Sequence, residues 1–267
     1  MASIDFKKLQ STPHVTVWGG PSGNATGIDN VAVPTVAEIS NTGNTSKMLN
    51  WSPSISWNDT SFGPQESETL NDPSFADEST YEDFGAKNYG GEISTYYPKD
   101  YDDNSNNHSL VYDQSDTPRT ALDFVMRVDG AKKTTQPIAN GDFVHVFRVL
   151  TDAETNALVQ PDAYRRTVGL LSQGEAAFHT IVGPHTLTAV PAPTTPWKAG
   201  SVGRLRVTVQ GRDYTNALSF VSSNSSVVEI QPGGFYKVNG ASATTATITI
   251  TDDEAGTTAT QTVTVTA

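Results

Sequence analysis

The sequence predicts a mainly β chain in two parts, and three observations carry that reading. Hydrophobic content is only 36% across 267 residues, and Gly, Ser, Thr, Asn and Asp are plentiful. That mixture favours strands joined by long polar loops over helical bundles. Period-two alternation recurs from residue 91 onward, and no amphipathic helix longer than about ten residues stands out. Charge is also unevenly divided. Residues 197–267 hold five basic and five acidic side chains, so the whole net charge of −12 lies on residues 1–196. The Pro-rich run 189–196 reads as a stiff linker between two domains. The first covers 1–188, with an N-terminal arm over about residues 1–30, and the second covers 197–267.

His14–Trp18 is the first strand candidate, closed by a turn at Gly19-Gly20-Pro21, since Pro21 removes an amide donor and no helix follows. Val31–Ile39 contains Pro34 and reads as at best an edge strand or extended arm. Leu49–Trp57 alternates weakly around Pro53. Asp72–Glu78 has the cap and first-position proline of a single helical turn. Gly91–Tyr97 then alternates, with Ile93, Thr95 and Tyr97 opposite Glu92, Ser94 and Tyr96. Ala121–Val128 places Leu122, Phe124 and Met126 on one face and Asp123, Val125 and Arg127 on the other. Asp142–Thr151 is the longest apolar candidate, with Phe143, His145, Phe147 and Val149 opposite Val144, Val146 and Arg148. Arg165–Leu171 and Ala176–Val182 read as a hairpin turning through Ser172–Glu175. Asn106–Gln114 is the best helix candidate. After the linker come short strands at Gly203–Gln210, Leu218–Ser222, Val227–Ile230, Gly234–Val238, Thr244–Thr251 and Thr257–Thr266. Their threonine-on-one-face pattern suits a half-buried sandwich.

Composition narrows the function. The chain has no cysteine, so neither disulfides nor thiolate metal sites arise. No apolar run approaches the roughly 20 residues of a membrane span, so no membrane insertion is expected. Met1–Lys8 lacks the apolar stretch of a secretory signal, and folding in a cytoplasm is expected. An acidic balance argues against tight nucleic-acid binding, which needs clustered Lys and Arg.

No catalytic, cofactor or metal site is expected. The five histidines form no array of metal-ligand spacing, and no nucleophile elbow, phosphate loop or dinucleotide fingerprint is present. Asp100-x-Asp102-x-Asn104-x-Asn106 begins like a calcium loop. Ser105 and Val111, however, stand where a glycine and a carboxylate belong, so a solvated polar loop is the plainer reading. The acidic run Glu66–Asp83 singles out no catalytic pair.

Residues Ser222–Ile230, Val238-Asn239-Gly240, Ala246–Ile250 and Thr262–Thr266 resemble bacterial immunoglobulin-like modules of group 2. Residues Val33–Ile39, Ile55–Asp59, Glu66–Pro73, Gly85–Tyr89 and Gly141–Phe147, taken in order and spacing, resemble the major tail (tail tube) proteins of long-tailed, siphovirus-type bacteriophages, especially those of actinobacteria. The resemblance spans nearly all of 30–183. It implies a β-sandwich core that joins with its neighbours into a barrel, one short flanking helix and long loops, followed by an immunoglobulin-like sandwich. It implies hexameric rings stacked into a tube for DNA ejection, made in the host cytoplasm and resident in the virion, with DNA passing unbound. The implied partners are further copies, the tape measure, the tail terminator and the distal tail protein, and a weak glycan contact by the outer module is a further one. No catalytic residue carries over.

On that reading the charges inside apolar strands, Asp123, Arg127, Arg148 and Glu92, face a channel or a subunit interface, while a plain solvent-facing surface is the alternative. A cell-surface glycan-binding or adhesive protein is the competing class, and a glycosidase with an accessory domain is the third.

Overall fold

Residues 15–22, 27–40, 48–56, 59–64, 69–70, 83–84, 89–103, 105–128, 135–157, 164–190 and 197–266 are described in the computed structural model of the chain. The turn expected at Asp72–Glu78, most of the acidic run, Trp57 and residues 191–196 lie outside them. The chain is mainly β and divides into two units, Met1–Val182 and Gly183–Ala267.

In chain order the first unit comprises β1 (Thr16–Pro21), α1 (Val36–Ile39), β2 (Leu49–Asn50), β3 (Ser61–Pro64), β4 (Thr69–Leu70), β5 (Asp83–Phe84), β6 (Tyr89–Tyr96), α2 (Asn107–Ser115), β7 (Ala121–Arg127), β8 (Phe143–Ala157) and β9 (Arg165–Ile181). Seven of these strands form one antiparallel sheet in the order β2-β1-β7-β8-β9-β6-β3, and β4 pairs with β5.

The alternation read in β7 and β8 maps onto the two faces of this sheet. Leu122, Phe124, Phe147 and Val149 join Trp51, Tyr89, Ile93 and Val111 of α2 in one buried cluster. Val125, Val144 and Val146 join Trp18, Ile28, Ile39 and Met48 in another. Each face therefore buries apolar side chains under different segments, which is why both registers of these strands are rich in valine and phenylalanine.

Four readings of this unit are corrected. Gly19-Gly20-Pro21 is not a turn, because it continues β1 alongside β7 from Gly19↔Phe124 to Pro21↔Leu122. A Cβ at Gly19 would lie 2.8 Å from the Trp51 ring and 2.9 Å from Phe124, so glycine is there to let two aromatic rings close over the strand. Val31–Ile39 is not an extended edge. It turns and then forms α1, whose capping box joins the Thr35 hydroxyl to the Glu38 amide and the Glu38 carboxylate to the Thr35 amide (2.7 Å). The Thr-x-x-Glu spacing is the sequence signature of that cap. Of Leu49–Trp57, only Leu49 and Asn50 form a strand, and Ser52–Ser54 is a 3-10 turn. Finally, Arg165–Leu171 and Ala176–Val182 do not pair with each other. They are two parts of β9, and both pair with β8.

The second unit contains β10 (Thr188–Val190), β11 (Val202–Arg204), β12 (Arg206–Val209), β13 (Arg212–Asp213), β14 (Ser219–Ser222), β15 (Val228–Ile230), β16 (Phe235–Val238), β17 (Thr245–Asp252) and β18 (Thr257–Thr264). They make three three-stranded antiparallel sheets, β10-β12-β13, β11-β16-β15 and β14-β17-β18. Leu205, Val207, Val238, Ile248, Ile250 and Val263 are all fully buried, as the alternation required.

The strand read at Gly203–Gln210 breaks at buried Leu205, whose amide bonds to Gly234 O. Its first part pairs with β16 and its second with β10 and β13. The linker reading is corrected at its start, since Ala189 and Val190 belong to β10 and pair with Val207 and Arg206. Upstream of β10, buried His185 places Nδ1 2.8 Å from Asp252 Oδ2. Burial pushes the Asp252 carboxyl up, but the bonds from His185 and the Ala255 amide outweigh it and hold the group below its ordinary range. This unit is thus anchored before the proline-rich run begins.

Candidate functional site

The four charges singled out in the sequence have different fates. Asp123 and Arg127 are fully buried, so the expectation of a channel- or interface-facing role gives way to an internal one for both. Asp123 on β7 lies opposite Arg148 on β8, and Arg148 Nε donates to Asp123 Oδ1 at 2.9 Å. Together they grip one residue of the covering segment: Ile28 donates its amide to Asp123 Oδ2 (2.8 Å), and Arg148 Nη2 donates to Ile28 O (2.7 Å). Arg148 also pairs with exposed Glu175. The Asp123 bond chiefly raises the guanidinium's affinity for its proton. Arg127 donates to the carbonyls of Gln136 and Pro137 and to the Thr16 hydroxyl (3.0, 3.1 and 3.1 Å). It thereby ties the loop before β8 to β1. Glu92 alone of the four is exposed.

Sequence reasoning missed a highly connected arginine. Arg166 on β9 is fully buried and reaches the end of α2. Its Nη2 donates to Tyr112 O (3.0 Å) and Ser115 Oγ (2.6 Å), and its Nη1 to Glu154 (3.0 Å) and Asp116 (3.4 Å). The guanidinium lies 4.0 Å over the Tyr112 ring. A cation at a helix C-terminus satisfies carbonyls that have no partner within the helix. Its signal, an Arg-Arg pair opening a strand, is ambiguous without the fold. The calcium-like stretch leads into this same helix: Asp100 and Asp103 accept the amides of Asp102 and Ser105 (both 3.0 Å), and Asn106 caps α2 through the His108 amide. These side chains fold the loop back on itself.

The β8–β9 pair carries a built irregularity. Between Phe147↔Ala176 and Val149↔Ser172, β9 advances four residues against two on β8, so Gln173–Glu175 bulge from the ladder. The buried Tyr89 hydroxyl holds the bulge. It lies 2.8 Å from Arg148 O and 2.9 Å from Glu175 O and accepts the Gln173 amide (3.1 Å). Bulges fixed by tertiary contacts are designed features of a sheet. Near it, one part of the sheet face bearing Arg148 is exposed. Glu92 lies opposite Gly169, and a Cβ on Gly169 would meet Asp152 Cβ at 3.2 Å, so the two carboxylates flank one glycine. Leu171 is 51% exposed beside them. The described arginines nearest this patch, Arg148 and Arg165, are both paired with carboxylates, Arg165 with Asp59. Among the described residues the exposed patch is therefore acidic.

His145 and His179 meet across β8 and β9, with ring centroids 4.5 Å apart. His179, at φ 55°, donates its amide to His145 Nδ1 at 3.0 Å. Burial, and then the neighbouring His179, depress the His145 imidazole to about 4. The unfolded ring takes up a proton below its ordinary 6.5 and the folded ring only near 4, so stability present above 6.5 is lost progressively as pH falls to about 4, amounting to about 3 kcal/mol. Urea denaturation of wild type and His145→Phe from pH 7 to 4 checks this. The wild type is expected to lose more stability than the variant, and equal slopes would contradict it. Among the described residues no cluster of three potential metal ligands occurs and no helix is long and apolar enough to cross a membrane.

A family model described as phage tail tube protein matches residues 1–185, which spans the whole first unit. The chain belongs to the phage tail tube protein family. No curated protein matches it. Tail tube membership makes it a structural component of the virion tail, in a family that is not an enzyme class. It implies assembly with copies of itself and contact with other tail proteins. The arginine-anchored sheet described above is the tail tube part of the chain. The three small sheets of the second unit lie wholly beyond the match.

Proposed function

We propose that this chain is the major tail tube subunit of a siphovirus-type phage, forming hexameric rings that stack into the conduit for DNA ejection. The observation that carries this is the acidic exposed patch around Glu92 and Asp152, on a sheet that ends in two short strands. β2 has two residues and β3 four. These two strands are the margins of the sheet, and on this reading neighbouring copies meet there. Carboxylates on a conduit wall repel phosphate, so DNA slides without adhering. Glu92 is then a wall or interface charge, while Asp123 and Arg127 work inside the subunit. The second unit is an immunoglobulin-like module outside the conduit, consistent with its zero net charge, and makes a weak glycan contact. Tape measure, terminator and distal tail proteins meet the ends of the tube.

The test is a phage carrying Glu92→Lys and Asp152→Lys. Tails of normal length should assemble, while infectivity falls by orders of magnitude and DNA ejection slows. Normal ejection would remove these residues from the wall.

A further inference from the structure

On the outer face of β11-β16-β15, the second unit holds an aromatic ring away from its core. Phe235 is 55% exposed and neighbouring Val202 73%, whereas Tyr236 and Val238 of the same strand face inward. The ring's position is specified rather than incidental. Gly233 and Gly234 precede it, both at φ 76°, and a Cβ on Gly234 would overlap the carbonyl of Leu205. Only glycine fits this turn.

Arg204, the cross-strand partner of Phe235, lies 5.2 Å over the ring. Its Nε donates to Gly233 O (2.8 Å) and its Nη2 to Asn216 Oδ1 (2.6 Å), so the fork is held in place. Lys237, on the same face and opposite Val202 and Glu229, makes no ion pair among the described residues. Asp213 feels Arg204 but is held low chiefly by its bond from the Thr215 hydroxyl. A fixed cation over an exposed ring adds nothing to the core, and holding an arginine and a phenylalanine in one geometry costs side-chain entropy.

We propose that this face binds an acidic saccharide. The Phe235 ring stacks on the C–H face of a sugar, and Arg204 and Lys237 take its carboxylate. Apolar ring, planar fork and a second cation suit a uronic acid, which offers one flat apolar face and one bidentate acceptor. Arg204 and Lys237 supply two cations on this face, with Glu229 across from Lys237 and Asp213 within electrostatic reach of Arg204. This deepens the glycan contact proposed above and rests on the second unit facing outward.

The test uses the full chain with oligogalacturonate as probe, its methyl ester as the uncharged control and oligoglutamate as the competing acidic peptide. NMR titration or calorimetry at physiological salt should show saturable binding of oligogalacturonate, at least tenfold weaker binding of the ester, and weaker binding of oligoglutamate. Phe235→Ala should abolish most of the binding with an unchanged melting temperature, and Arg204→Lys, which also gives up the bonds to Gly233 O and Asn216 Oδ1, should do so with only a small drop in melting temperature. Lack of binding at millimolar probe, equal binding of the ester, unchanged binding in both variants, or preference for oligoglutamate would each overturn the proposal. Electron microscopy of the Phe235→Ala chain separates this from the tube reading: tubes should still form, and failure of wild-type and variant alike would count against the tube instead.

Discussion

Asp123→Ala is expected to lower the unfolding free energy of the first unit by about 3–5 kcal/mol, the usual cost of removing one partner from a buried ion pair. The size follows from what is left behind. Arg148 stays only 20% exposed with its main counter-charge gone, and the buried Ile28 amide loses its acceptor. An unpartnered buried donor costs about 1–3 kcal/mol by itself. Asp123→Asn keeps an acceptor for Ile28 and should cost less. The loss should also be local at first, because the pair grips the segment that carries Ile28, Val31, Val36 and Ile39 over one face of the sheet. Hydrogen exchange should show residues 27–40 opening ahead of β7 and β8. A loss below about 1 kcal/mol by urea denaturation would mean that Arg148 and Ile28 find water as readily as Asp123.

Arg166→Ala should also be severe, at about 1–3 kcal/mol for each buried polar group left without its donor, but for a different reason. Its acidic partners, Asp116 and Glu154, are 47% and 31% exposed and can hydrate when the arginine is lost. The cost instead comes from the carbonyl of Tyr112, the Ser115 hydroxyl and the packing over the Tyr112 ring. Arg166→Lys should restore little, since an ammonium cannot reproduce a planar fork that bonds several groups at once. Amides of α2 should exchange much faster in both variants. Unchanged protection of α2 would show that Val111 and its apolar neighbours hold the helix without the arginine.

Legibility of the fold in the sequence followed the range of the interactions. β7, β8 and β17 were readable because their period is local: Ala246, Ile248 and Ile250 alternate with threonines and are buried, with Asp252 continuing the same register. α2 was readable because Asn106 caps it from its own sequence. The cap of α1 is equally local, but Pro34 just before it also fits an extended edge. β9 was not readable as one strand. Ser172–Glu175 has the chemistry of a turn, and what keeps the chain on β8 through it is the hydroxyl of Tyr89, more than eighty residues upstream. The same holds for Gly19, whose reason is Trp51 and Phe124.

At the candidate site the sequence marked charges inside apolar strands but not their direction. Strand parity puts Asp123 and Arg148 on one face, and only the covering segment decides that Asp123 meets Ile28 instead of solvent. Glu92 sits on the part of that face left exposed. Arg166 was invisible as a key residue because its partners come from α2, β6 and β8 together.

A high-resolution reconstruction of the assembled tail bears most directly on the account. Copies of the seven-stranded sheet should meet through their margins around a central channel, with Glu92 and Asp152 on its wall. A wall that is basic, or copies that touch only through the second unit, would contradict it.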